Sequence, residues 1–147
     1  MSHYAVFDTN VLISSLLTKK NDTATAQVID AIPDGRIIPL YNQEILDEYD
    51  EVLHRAKFSF REDRITGVLE MIRQFGLAVN PAPTGGILTD MDDLVFYEVV
   101  MEKRSDNAYL ITGNIRHYPK REYIVTPAEM MEIIRLGESD GESEEFI

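Results

Sequence analysis

The 147 residues contain no cysteine, which excludes disulfides and thiolate zinc sites and leaves the redox compartment open. No apolar run approaches the length that spans a bilayer, and no basic segment followed by a long apolar stretch stands near the N-terminus. The expectation is therefore a cytoplasmic protein with no membrane partner. Basic residues are few: 14 Lys and Arg stand against 26 Asp and Glu, a formal net charge of −12, which opposes non-specific adhesion to nucleic acid. Also missing are a Gly-x-Ser-x-Gly turn, a phosphate-cradling Gly-rich loop with Lys, and a His-Glu-x-x-His pair. Serine-hydrolase, P-loop and zincin chemistries thus lose their usual motifs.

What is present reads as one soluble globular domain, 44% hydrophobic and 27% charged, long enough for a single core. Residues 4–8 predict a strand and 10–18 a helix. Asn21-Asp22-Thr23 starts a second helix that Pro33-Asp34-Gly35 closes. Residues 36–40 predict a second strand. Residues 43–55 and 60–75 carry apolar side chains at helical spacing, and Gly76 precedes a short strand at 77–79. Residues 92–104 are apolar nearly all round, which predicts a helix packed deep against the sheet. Strands at 108–112 and 123–125 follow, then a helix opened by Pro127 and ending near Gly137. Strands alternating with helices predict a three-layer α/β/α fold around a central parallel sheet. The expected organisation is one domain over residues 1–137 and an acidic, disordered tail over 138–147, which holds five acids and no base.

Acidic residues fall where such a fold does chemistry. Asp8 stands at the end of the first strand, and ligand sites of parallel sheets lie at the carboxyl ends of strands. As a mere helix cap, Asp8 or Asn10 would serve equally well. The 43–55 helix carries Glu44, Asp47, Glu48, Asp50 and Glu51. Glu48 and Asp50 each lie about 40° outside its apolar arc, on opposite edges, so the wheel nominates both. Asp90, Asp92 and Asp93 crowd the start of the most apolar helix. One or two acids suit a helix N-terminus; three repel one another and call for a counter-charge. Magnesium or manganese, held by carboxylates, would activate water for in-line displacement at phosphorus. Basic residues gather at 54–64 and at Arg116, His117, Lys120 and Arg121. His117 is expected to be a structural or RNA-contact residue rather than a metal ligand.

Four stretches together resemble the PIN-domain nucleases. Val6-Phe7-Asp8-Thr9-Asn10-Val11 resembles their opening motif, and Gln43-Glu44-Ile45-Leu46-Asp47-Glu48-Tyr49 their second, which selects Glu48 over Asp50. Asp90-Met91-Asp92-Asp93-Leu94-Val95-Phe96 resembles the third, with Asp93 the catalytic acid and Asp90 an accessory. Leu110-Ile111-Thr112-Gly113-Asn114 resembles the fourth, where Asn114 replaces the usual Asp. The likeness runs from about Tyr4 to Met131 and is greatest to the toxin branch found in prokaryotic toxin–antitoxin pairs. It implies a ribonuclease dependent on Mg2+ or Mn2+, with Asp8, Glu48, Asp93 and Asp90 as metal ligands and Asn10, Thr112 and Asn114 in support. It further implies an RNA substrate, expected to meet Arg116, His117 and Lys120, a cognate antitoxin protein, and a homodimer. The neutral Asn114 weakens the case for a second metal and leaves a module that binds RNA or protein without cutting as the alternative. An aspartyl-nucleophile phosphatase would want Asp where Asn10 stands, and a receiver domain a late Lys that is missing.

Overall fold

The computed structural model describes residues 2–88 and 90–145. Five strands form one sheet in the order β3-β2-β1-β4-β5, and every pairing is parallel. The strands are β1 His3–Phe7, β2 Ile37–Tyr41, β3 Leu77–Ala78, β4 Tyr109–Ile111 and β5 Ile124–Val125. The helices are α1 Thr9–Leu17, α2 Ala24–Asp30, α3 Gln43–Leu53, α4 Glu62–Phe75, α5 Leu94–Glu102 and α6 Pro127–Glu145. They cover the sheet in the expected three-layer α/β/α arrangement. Among the described residues, no helix is long and apolar enough to cross a membrane.

Burial follows the sequence patterns. The central strand β1 loses its polar face altogether: Ala5, Val6 and Phe7 are inaccessible to solvent, as expected for a strand covered on both faces. The apolar stripe of α3 buries Ile45, Leu46, Tyr49, Val52 and Leu53. Its N-cap Asn42 accepts from the Ile45 amide at 2.8 Å, satisfying one of the free donors of the first turn. Phe96, Val99 and Val100 of α5 are buried, and this helix packs over β1, β2 and β4. Gly76 lets α4 return to the sheet: a Cβ there would stand 2.3 Å from the Ile72 carbonyl oxygen and 2.5 Å from that of Pro39. No other residue fits that approach.

Two expectations of extent are corrected. The helix expected at 92–104 is shorter, with 3-10 turns at Met91–Asp93 and Arg104–Asp106 flanking it. The Asp90 side chain accepts from the Asp92 amide at 3.0 Å, and this local bond favours a tight turn over an α-helical start. The last helix continues past Gly137 to Glu145. An internal glycine costs a helix only about 1 kcal/mol, and glutamate is a good helix former. Phe146 and Ile147 of the expected tail lie outside the described residues.

The strand order decides where a site can form. The chain leaves β1 toward β2 on one side and reaches β4 on the other, so the order reverses between β1 and β4. In open parallel sheets the crevice beyond the carboxyl ends at such a reversal is the usual ligand position. Phe7 pairs with Ile111 in register. The residues that follow them, Asp8 and Thr112, therefore meet at that crevice.

Candidate metal centre

Asp8 occupies the N-cap position of α1, yet its side chain makes no capping hydrogen bond. Its Oδ2 instead accepts from the Thr112 hydroxyl and the Tyr118 hydroxyl, each at 2.9 Å. The residue is only 4% exposed. Burial pushes its carboxyl above the usual carboxylate range, while the hydroxyls of Tyr118 and Thr112 and the amides of Asn10 and Thr9 oppose the rise. Asp8 is therefore a gripped carboxylate rather than a helix cap. Burial first, then the charges of Asp8 and Asp93 and the hydrogen bond to Asp8, push the Tyr118 phenol upward, so it stays a donor.

The supporting residues form a bracket across the ends of β1 and β4. Thr112 is fully buried, and its hydroxyl oxygen accepts from the Asn114 amide at 2.9 Å and from Asn10 Nδ2 at 3.4 Å. Asn10 Oδ1 accepts from the Gly113 amide at 2.9 Å. Asn114 thus joins the bracket through its backbone. With Arg116 and His117 it lines a cavity of about 380 Å3. Lys120 is exposed and lies outside that lining.

Of the two acids that the α3 wheel nominated, Glu48 is half-buried and Asp50 exposed. Asp50 faces outward to His54, with Oδ1 to Nδ1 at 3.4 Å. The Glu48 carboxyl is pushed up by burial, by Glu51 and Asp92, and also by Asp8, with Arg55 opposing. It shares a cavity of about 200 Å3 with Asp92, Glu44 and Glu98.

Asp93 is pushed up to about 6 by burial first, then by the charges of Asp8 and Asp90; His117 opposes the rise. Its Oδ2 lies 3.3 Å from His117 Nδ1. Asp90, Asp93 and His117 each bring one ligand atom within 4.8 Å of the others. This trio shares Asp90 and Asp93 with the expected set of four acids. The charge of Asp8 raises the Asp93 carboxyl, while its own Oδ2 accepts from two hydroxyls, and Glu48 lines the cavity shared with Asp92. His117, expected to be structural or to meet RNA, is instead a candidate ligand.

The donor chemistry fits a divalent cation. Two carboxylates and an imidazole suit manganese, which tolerates both donor types, whereas magnesium prefers carboxylate and water oxygens. Among the described residues, no lysine or arginine forms an ion pair with Asp8, Glu48, Asp90 or Asp93. Asp8, Asp90 and Asp93 therefore raise one another's cost, with the His117 ring beside Asp93. Thr9 Oγ1, next to Asp8, is the one buried side-chain polar atom without a hydrogen-bond partner among the described residues.

One participant escaped the sequence reading: Tyr118 sits in an irregular segment, where no periodicity marks it. Asp92 stands in the acidic run, but the run alone does not reveal that Asp92 lines a cavity with Glu48 while Asp93 meets His117.

No curated protein matches the chain. The family model of the PIN domain matches residues 4–116, a span that holds Asp8, Glu48, Asp90, Asp93 and Asn114 and all but the last strand of the sheet. On that match the chain belongs to the PIN-domain family.

Proposed function

We propose that this chain is a metal-dependent endoribonuclease acting as the toxin of a prokaryotic toxin–antitoxin pair. The observation that carries the nuclease reading is the cluster of Asp90, Asp93 and His117, with Asp8 near enough to raise Asp93 and, among the described residues, no lysine or arginine in an ion pair with these acids. Mg2+ or Mn2+, when bound, supplies a Lewis acid for the phosphoryl oxygen and lowers the pKa of a water. Asp90, Asp93 and His117 would hold it. Asp8, fixed by Thr112 and Tyr118, keeps a third carboxylate beside them. Glu48, whose proton affinity is raised, orients the attacking water and takes its proton. Water adds to phosphorus as the opposite P–O bond breaks and the departing oxygen takes a proton from solvent; Arg116, which shares a cavity with His117, and Lys120 would meet phosphates. RNA as substrate, a cytoplasmic setting, a cognate antitoxin and a homodimer belong to the same reading and rest on the family resemblance.

The test is cleavage of an end-labelled unstructured RNA with Mn2+, with Mg2+ and with chelator, using wild type beside Asp8→Asn. Metal-dependent cleavage that Asp8→Asn abolishes is the expected result. One observation favours a second reading: the fourth motif position carries a neutral amide, tied into the bracket by its backbone. A module that binds without cutting would leave the RNA intact under every condition, and that outcome would overturn the nuclease reading.

A further inference from the structure

The connection between α3 and α4 holds a second constellation, which the metal centre does not use. Phe58 and Phe60 stack nearly parallel, with ring centroids 5.2 Å apart and planes 6° from one another. Phe60 packs against the main core, so Phe58 rests on an anchored plate. Ser59 between them adopts a left-handed conformation, φ +52°, which a residue other than glycine takes only at some cost. Lys57 Nζ stands 5.1 Å from the Phe58 centroid.

The neighbouring charges fall into two groups. His54 and Arg61 are engaged by Glu62 and Asp63. Arg55 and Lys57 are exposed and form no ion pair among the described residues. One turn into α4, Arg64 donates to the Leu16 carbonyl at 3.3 Å. With Lys19 and Lys20 it lines a groove of about 400 Å3. Arg55 and Lys57 thus stand beside the aromatic pair, and Lys19, Lys20 and Arg64 along the neighbouring groove at the start of α4, in a chain whose net charge is −12. A charge excess of the opposite sign, held locally against the overall field, marks a polyanion as the ligand. The stacked rings narrow the choice. An acidic peptide would use the cations but not a flat π-face, whereas an unpaired base stacks on one.

We propose that this face binds single-stranded nucleic acid, with phosphates along Lys19, Lys20, Arg64, Arg55 and Lys57 and a base stacked on Phe58. The groove lies at the C-terminal end of α1 and the acids at its N-terminal end. Nine residues of helix separate them, about 13 Å. A strand docked here is therefore one short helix away from the metal centre. This deepens the ribonuclease reading by giving substrate a hold outside the acids, although binding itself requires no cleavage.

The test is fluorescence anisotropy of the full chain in chelator, with labelled unstructured RNA and DNA oligonucleotides and a duplex of the same sequence. Single strands are expected to bind more tightly than duplex, whose bases are already stacked. Phe58→Leu, which keeps an apolar contact with Phe60 but removes the ring, should weaken binding at least about fivefold. Phe58→Trp should retain wild-type affinity. Lys19→Ala with Lys20→Ala should flatten the dependence of log affinity on log salt by about one. Urea unfolding checks that each variant folds. RNA and DNA should bind within a few fold, since stacking and phosphate contact do not read the 2′-hydroxyl. Equal binding by Phe58→Leu and wild type, or a preference for duplex, would overturn the proposal. So would capture of a glutamate-rich peptide with no binding of oligonucleotides. Phe58-dependent binding of an RNA that stays intact with Mn2+ would keep the platform and remove the ribonuclease reading. Cleavage with binding indifferent to Phe58 would do the reverse.

Discussion

The hydroxyl of Thr112 donates to Oδ2 of Asp8 at 2.9 Å across 104 residues of chain. It is the direct side-chain link between the ends of the two central strands, and the same oxygen accepts from the Asn114 amide. Thr112→Val keeps the shape and removes all of this. A buried carboxylate and a backbone amide each lose a partner. We expect a loss of about 1–3 kcal/mol of unfolding free energy in urea. Thr112→Ser, which restores the hydroxyl, should recover most of it. A valine variant as stable as wild type would show that the bracket contributes nothing.

Asp93 makes the metal-free protein sensitive to pH in a defined window. Its carboxyl lies at about 6 in the folded protein against an ordinary 3.8. Between those values the folded state holds more protons than the unfolded chain, so stability falls as pH rises from about 4 to 6. Above that range the cost is fully present, on the order of 1–2 kcal/mol once solvent screening is discounted. Asp93→Asn should remove this slope and be more stable than wild type at neutral pH in chelator. Parallel slopes for the two proteins between pH 4 and 7 would contradict the assignment.

His117 and Asn114 predict how the centre chooses its ion. Manganese should raise the thermal midpoint of wild type, because a ligand that binds only the folded state stabilises it by mass action. His117→Ala should reduce the manganese response more than the magnesium response, since imidazole favours the softer ion. Asn114→Asp should tighten either ion by about 1–4 kcal/mol before desolvation is subtracted. It should also make the apo protein slightly less stable. Calorimetric titration of the three proteins reads all of these shifts. Unchanged affinities would remove both residues from the centre.

Truncation after Gly137 should leave cooperative unfolding intact. Met130 and Ile134, in the first part of α6, are buried in the core. Residues 138–147 hold five acids, with Phe146 and Ile147 their only large apolar residues. A truncated chain that unfolds without cooperativity would show that the distal part of the helix is needed.

Much of this was legible along the chain because it is written in local patterns. The stripe of α3, the apolar β1 ending in an acid, and the Pro-started last helix are each set by neighbours within a few residues. The choice of Glu48 over Asp50 needed more than the wheel, since both edges of the stripe looked alike until packing buried one of them. The α6 terminus was misplaced because a glycine inside a helix and a glycine after one are the same letter. Tyr118 was invisible because its bond to Asp8 joins residues 110 positions apart, and the approach of His117 to Asp93 was not readable because a 3-10 turn brings together residues 24 positions apart.

The parallel sheet has a consequence in time. Asp8 is synthesised well before the groups that fix it: the hydroxyls of Thr112 and Tyr118 come 104 and 110 residues later. Contacts so distant along the chain form only after the intervening segments have found their places. A chain growing on the ribosome therefore carries Asp8 through the synthesis of at least those 104 residues without the hydroxyls that hold it in place. Under the proposed ribonuclease reading, the centre stays unassembled, and the nascent chain harmless, over that stretch of translation.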